Sequence, residues 1–329
     1  MIIKNGLVWE ESGSFRKKEL VVDTTTHRIA ETAEDDTVFD AEGLYVIPGL
    51  VDVHIHGARG HDFSDGNSKG LAEIAQYLHS CGVTSFCPTS MTLPEEQLTA
   101  AFATINDVPD AAGYAHIAGI HMEGPYLSPE LPGSDAFIRE FKDTVAISLG
   151  HSTASYEIAE NAFAAGANHV THLFNAMPPL HHRDPGIIGA AADCPHAMAE
   201  IICDGIHIHP SVIRNAFRMF GNDRMILISD AMRATGMEDG EYELGGQPVI
   251  KKGRLATLKD GTIAGSATNL FDCMKNAVQF GIPLGVAVKA ATCNPAKSIE
   301  CSQEIGTLAV GARADILLLD QDLNIVKIL

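Results

Sequence analysis

The 329-residue chain is short of positive charge. Its 23 lysines and arginines stand against 42 aspartates and glutamates, a formal net charge of −19. Such a surface repels polyanions, which excludes nucleic acid and an anionic membrane as main partners; an anionic substrate has to be caught by a local positive group. No Cys-x-x-Cys pair occurs. The seven cysteines, at 81, 87, 194, 203, 273, 293 and 301, are odd in number and widely spaced, which fits reduced thiols better than a disulfide framework. No uncharged apolar run reaches the 18 or so residues that a membrane span needs. The N-terminal Met1-Ile2-Ile3-Lys4-Asn5-Gly6 has no basic region followed by an apolar signal core. Low-complexity linkers and short-period repeats are also missing. These absences predict a soluble, cytoplasmic protein with neither a nucleic-acid nor a membrane partner.

What is present is ordinary globular composition, 46% hydrophobic and 20% charged. The length favours two domains, or one barrel of about 250 residues with an addition. The first 45 residues read as β-rich, with extended runs at 20–23 and 37–40 between polar turns. From Tyr45 onward, strand-like runs alternate with amphipathic helices. The strands are expected at 50–56, 83–87, 117–122, 145–149, 169–172, 197–203 and 225–228. Helices are expected at 71–79, at 156–165 with Ser155 as N-cap, and at 269–280 and 284–291. The tail from Gly306 to Asp320 is again β-like. Repeated βα units with nearly continuous apolar strands predict a parallel sheet buried on both faces. Only seven such strands are found, whereas a closed (β/α)₈ barrel needs eight.

The strongest local motif is Asp52-Val53-His54-Ile55-His56-Gly57. Side chains at i and i+2 on a strand share a face, so His54 and His56 point together. Two imidazoles at a strand's C-terminal end suit one metal ion; two hydrogen-bonded structural histidines fit the hexapeptide as well. Other strands end in comparable groups: His121-Met122-Glu123, Gly150-His151, Thr171-His172, Cys203-Asp204 with His207, and Ser229-Asp230. Together these imidazoles and carboxylates form a donor set suited to Zn²⁺ or Fe²⁺. His61, His79, His116, His196 and His209 read as structural or surface residues, and Cys87 and Cys203 as packing residues without an activating base.

With those motifs in view, the chain resembles the N-acetylglucosamine-6-phosphate deacetylases of the amidohydrolase superfamily over nearly its whole length. The resemblance rests on Pro48 to Gly57, His121-Met122-Glu123-Gly124-Pro125, Gly150-His151-Ser152, Thr171 to Met177, His182-Arg183-Asp184-Pro185-Gly186, Asp204-Gly205-Ile206-His207, Ser229-Asp230-Ala231 and Gly261 to Ser266. The His-x-His is common to the superfamily, whereas the Glu-Gly-Pro, Asn-Ala-Met and His-Arg-Asp-Pro-Gly blocks are far narrower. The resemblance implies an α/β fold: a metal-dependent (β/α)₈-type TIM barrel at 48–302, plus a small discontinuous β-sandwich from 1–47 and 303–329. It implies that Glu123, His151 and His172 hold the principal metal, and that His54, His56 and Asp230 complete a second position filled in some members. Asp230 would be the general base and acid, and His207 would polarise the substrate carbonyl. Asn175 and Ala176 would contact the sugar phosphate. Arg183 would bind the phosphate, usually that of the neighbouring subunit, which implies a homodimer. The implied reaction is hydrolysis of the acetamide of N-acetylglucosamine 6-phosphate to glucosamine 6-phosphate and acetate, with one or two divalent ions per chain.

Those roles also make chemical sense. A divalent metal lowers the pKa of water toward 7 and polarises a carbonyl; a carboxylate can shuttle a proton from water to the departing amine; a donor opposite can hold the developing oxyanion. Arginine offers a phosphate two parallel hydrogen bonds, although a surface pair between Arg183 and Asp184 is an alternative.

Between Glu123 and His151 the chain departs from the pattern. A Lys-Lys-Gly segment with a sugar-binding residue, a helix and a strand ending in Ala-Pro-Glu are expected there. Instead Tyr126-Leu127-Ser128-Pro129-Glu130 runs directly into Leu131-Pro132-Gly133-Ser134. One βα unit near residue 130, on the order of 30 residues or more, is missing, and it contains the eighth strand. The loss is either real, leaving a gapped barrel partly covered by the 130–142 region, or a segment omitted from this sequence. Two other functions remain open: an amidohydrolase for a related N-acyl amino sugar, and a metal- and sugar-phosphate-binding paralogue with weak catalysis.

Overall fold

The computed structural model describes residues 1–32, 37–124 and 133–329. The seam expected between Pro129 and Leu131 lies outside the described residues.

Seven parallel strands form the centre: Leu50–Ile55 (β1), Val83–Ser90 (β2), His121–Met122 (β3), Ser148–Leu149 (β4), His169–Val170 (β5), Met198–Ile202 (β6) and Met225–Ile228 (β7). Every residue of β1, β2, β6 and β7 is buried, as a parallel sheet covered on both faces requires. In space the order is β3, β2, β1, β7, β6, β5, β4. Backbone ladders join each pair except β1 and β7, which meet in a single bridge between Ile55 and Ala231. Among the described residues no pairing joins β3 to β4, so the strands curve round without closing. This is where the eighth strand is expected to be missing. A cavity of about 430 Å³ opens there, lined in part by Ile120, Met122, Phe137, Phe141 and Val145. The helix Ser134–Phe141 supplies Phe137 and Phe141, so part of the expected cover is present.

Helices pack around the strands. Ser68–Ser80 buries Leu71, Ile74 and Leu78; Tyr156–Ala165 buries Phe163 and begins, as expected, at Ser155, whose side chain accepts from Ile158 N–H. A short helix that the sequence reading missed, Cys293–Ser298, plugs the N-terminal end of the strands. Its Asn294 Nδ2 donates to the carbonyls of Asn222 and Met225, at 2.8 Å each, and its Ala296 packs with Val51, Val53, Ile226 and Ile228. The strands' opposite ends are left to polar residues.

Both chain ends build two further sheets. Arg28–Ala30, Leu20–Asp23, Ile2–Lys4 and Val38–Asp40 form one; Ile325–Ile328, Ile316–Leu319, Tyr45–Pro48, Leu7–Trp9 and Phe15–Lys17 form the other. Ile3, Val22 and Ile29 of the first share a core with Val8, Val46, Ile316 and Leu318 of the second. Trp9 Nε1 donates to the Gly285 carbonyl at 3.0 Å, tying this region to helix Leu284–Ala291. Only glycine fits at 285, because a Cβ would lie 1.8 Å from the Gly13 carbonyl oxygen. A three-stranded meander, Gly240–Leu244, Gln247–Lys252 and Leu255–Thr257, was also unforeseen; its first turn is the two-residue Gly245-Gly246 loop, both at positive φ. No helix of the described residues is long and apolar enough to cross a membrane. All seven cysteines are free.

The two-sheet core yields a stability prediction. Leu318→Ala should lower unfolding free energy by about 2–5 kcal/mol, whereas truncating the exposed Val326 should change it by less than about 0.5 kcal/mol. Urea unfolding followed by circular dichroism would measure both; equal effects would refute the shared core.

Candidate active site

The C-terminal ends of the strands bring the expected residues together. Glu123 follows β3, and its Oε1 lies 2.9 Å from His151 Nε2 and 3.0 Å from His172 Nε2. Those two ring nitrogens are themselves 2.9 Å apart. His54, on β1, and His56, just past it, face Asp230, two residues beyond β7. His56 Nε2 is 3.4 Å and His54 Nε2 3.6 Å from Asp230 Oδ1. The two groups are not separate. The second oxygen of Glu123 lies 3.2 Å from His56 Nε2, so one carboxylate faces both, a sharing that the sequence did not disclose.

The local backbone explains the aim of these side chains. His151, His172 and Asp230 have φ of 49°, 26° and 48°, in the left-handed region that residues with a Cβ seldom occupy. Each strand therefore breaks abruptly and turns its side chain inward. Such conformations cost on the order of 1–3 kcal/mol each and persist only where surrounding structure enforces them, typically at functional sites. Asp52, fully buried on β1, holds the chain next to Asp230: its Oδ1 accepts from the backbone N–H groups of His54 and Ser229.

The field here favours positive charge. Burial disfavours the charged form of His54, yet Glu200, Asp230 and Glu123 outweigh it and raise its pKa to about 9. His56 is also lifted well above the ordinary value, against burial, by Asp230 and Glu123. Burial works against the ionised carboxylates too, but the histidines hold Asp230 at about 2 and Glu123 well below its usual range. His121 behaves oppositely: burial, then the neighbouring His54, bring it to about 4.

The donor chemistry fits a divalent metal. His54 Nδ1 is engaged with Glu200 Oε2 at 3.0 Å, which leaves Nε2, buried and without a hydrogen-bond partner, facing two carboxylates. Glu123, His151 and His172 converge their donor atoms within one ligand shell, and so do His54, His56 and Asp230. A third such set, His54, His121 and Glu200, lies behind them. Glu200 was missed by the sequence reading. A carboxylate inside the apolar run Met198-Ala199-Glu200-Ile201-Ile202 was the available signal, since a buried charge needs a partner.

His207 sits after β6, and its Nδ1 donates to Asp204 Oδ2 at 2.7 Å; Asp204 Oδ1 also accepts from the N–H groups of Ile206 and His207. Asp204 thus fixes the ring and leaves Nε2 for a ligand. Asn175 is half-buried, and its Nδ2 donates to the His172 carbonyl; Ala176, at φ 51°, is exposed on the same turn. Arg183 is not drawn into the cluster. It is exposed on the following loop, and its Nη1 donates to His182 Nε2 at 2.7 Å rather than turning to Asp184. Of the histidines read as structural or surface residues, His61 meets Glu73, His116 meets Asp110, and His209 caps helix Pro210–Phe220. Cys87 and Cys203 are buried, and burial pushes both thiols well above the ordinary range.

Comparison with known proteins agrees with this geometry. Residues 137–328 match the model of the Amidohydrolase family. An N-acetylglucosamine-6-phosphate deacetylase of Vibrio furnissii is 34% identical over 322 positions, covering 86% of this chain and 80% of that protein. The Bacillus subtilis counterpart is 32% identical, covering 99% of this chain and 91% of its own length. That alignment spans 368 positions against 329 residues here, so at least 39 residues of the relative have no counterpart. Among solved structures, a Mycobacterium smegmatis N-acetyl-D-glucosamine-6-phosphate deacetylase mutant in complex with N-acetyl-D-glucosamine-6-phosphate superimposes with TM-score 0.89 at 29% identity. The match covers 100% of this chain and 97% of that one.

The Asp204–His207 pair gives a pH prediction. Burial lowers the basicity of His207, but Asp204, with help from Asp230, outweighs it, so the folded pKa lies above 6.5. The stability this contributes is complete below the unfolded histidine value and is lost as pH rises through the folded one. An NMR titration of the His207 ring should show a midpoint above 6.5 that falls in Asp204→Asn. An unchanged midpoint would remove Asp204 from this role.

Proposed function

The chain belongs to the amidohydrolase family, with the N-acetylglucosamine-6-phosphate deacetylases, and on that premise we propose how its residues act and assemble. The reaction is hydrolysis of the acetamide of N-acetylglucosamine 6-phosphate to glucosamine 6-phosphate and acetate. The observation that carries this reading is the Glu123 carboxylate, 2.9 and 3.0 Å from two imidazole nitrogens, beside Asp230.

Glu123, His151 and His172 would hold the principal divalent ion, and His54, His56 and Asp230 a second; these donors suit Zn²⁺ or Fe²⁺. When bound, the metal supplies Lewis-acid polarisation of the amide carbonyl and acidifies water. Asp230, ionised and facing the cluster, takes a proton from the attacking water and delivers it to the sugar nitrogen as the C–N bond breaks. His207, oriented by Asp204, donates to the carbonyl oxygen as negative charge develops there, a contribution typically worth 10²–10³ in rate. Asn175 and Ala176 would contact the sugar phosphate. Arg183, exposed and outside its own cluster, is suited to the phosphate in the neighbouring subunit's site, so the working form is a homodimer.

The architecture proposed is a TIM-type barrel at 48–302, open between β3 and β4 for want of one βα unit, with a small β-sandwich from 1–47 and 303–329. The 39 or more positions without counterpart, and the lack of a pairing between β3 and β4 among the described residues, support it. Seven free cysteines favour the cytoplasm. The open edge favours one alternative, a protein that binds metal and sugar phosphate with little turnover.

One assay separates these. Acetate release from N-acetylglucosamine 6-phosphate should be metal-dependent, stop with a chelator, and fall about 10²–10⁴-fold in Asp230→Asn. Arg183→Ala should raise KM for the phosphorylated sugar and leave turnover of free N-acetylglucosamine unchanged. No metal-dependent release by the parent would sink the enzyme reading.

A further inference from the structure

We infer that Glu200 is a positioning residue that aims His54 at the second metal position; this rests on the reading of His54 as a ligand given above. Glu200 lies on β6, 2% exposed, among Met198, Ala199, Ile201 and Ile202. A carboxylate in such surroundings needs partners, and this one has two on a single oxygen. Oε2 accepts from His54 Nδ1 at 3.0 Å and from the backbone N–H of His172 at 3.3 Å. The Glu200 carbonyl in turn accepts from Leu173 N–H at 2.8 Å. The chain around His172 thus anchors the carboxylate, and the carboxylate anchors the His54 ring.

The consequence is a choice of tautomer. With its hydrogen on Nδ1 and directed at Glu200, neutral His54 carries its lone pair on Nε2, the atom that faces Asp230 and Glu123 and has no hydrogen-bond partner of its own. His121 backs the ring from another side. Its Nδ1 donates to the Val53 carbonyl at 3.0 Å, and its ring meets His54 edge-on with centroids 4.4 Å apart. His54, His121 and Glu200 have donor spacing that could suit an ion of their own. The hydrogen between His54 Nδ1 and Glu200 argues instead for a scaffold behind the ligands.

A double-mutant cycle tests this on the metal-depleted full-length protein. Zn²⁺ affinity would be measured by competition with a chromophoric chelator for the parent, Glu200→Ala, His54→Ala and the double variant, with circular dichroism to check folding. Glu200→Ala should weaken the His54-dependent binding by about 10–100-fold, the usual effect of removing such a partner. Glu200→Gln, which keeps an oxygen acceptor, should recover part of the loss and carries the comparison if the alanine variant does not fold. In the His54→Ala background, removing Glu200 should cost no further affinity. Unchanged binding in Glu200→Ala, or the same loss in both backgrounds, would overturn the inference. If His54→Ala itself leaves Zn²⁺ binding intact, His54 is no ligand and the inference falls with that assignment; acetate release by the parent tests the reaction separately.

Discussion

Three carboxylates, Glu123, Glu200 and Asp230, are buried around one imidazole, each with an oxygen within 3.8 Å of a His54 ring nitrogen. Like charges so placed repel strongly, and removal from water penalises each. The site persists because His54, His56, His151 and His172 interleave with them, and because the whole cluster attracts further positive charge. The rest of the structure serves this constraint. Apolar strands and surrounding helices give a rigid, dry wall. The Cys293–Ser298 plug seals the other end. The backbone turns at His151, His172 and Asp230 are enforced by that packing rather than by local preference.

Division of labour within the cluster follows from position. Residues beyond the strand ends, Glu123, His151, His172 and Asp230, can reach a substrate at the mouth. Those within or against the strands are held by protein contacts: Asp52 by backbone N–H groups, His121 by the Val53 carbonyl, and Glu200 by His54 and the His172 N–H. Asp204 holds the His207 ring. On the proposed reading the site is two layers deep, the inner layer setting which atom each proposed ligand offers.

Much of this was legible before any coordinates. A strand period of two puts His54 and His56 on one face, and seven apolar runs correspond to seven strands close to the expected places. Glu123, His151, His172 and Asp230 end strands, so a barrel brings them together. What escaped depends on pairing across the sheet or on turn chemistry. Glu200 meets His54 across 146 residues, a contact that no local pattern encodes. The sharing of Glu123 between both groups depends on the rotation of one carboxylate. The meander at 240–257 did announce itself through Gly245-Gly246 between two alternating runs, and was overlooked. Arg183 is a different case: its expected task concerns a second chain, which neither its sequence nor its own fold displays.

The two sheets at the chain ends carry a consequence for how the protein is made. Tyr45–Pro48 pairs with Ile316–Leu319, about 270 residues later. On the ribosome, residues 1–50 emerge long before the strand Ile316–Leu319 that completes their second sheet, and Val8 and Val46 stay partly uncovered until that strand is made. Closing that contact late is entropically slow and leaves the nascent N-terminus open to unwanted association. Pro48 lies two residues before β1, whose buried strand can gather helices as they appear. The sheet of residues 2–40 can pair as soon as it is made, whereas Tyr45–Pro48 waits for a partner about 270 residues behind it.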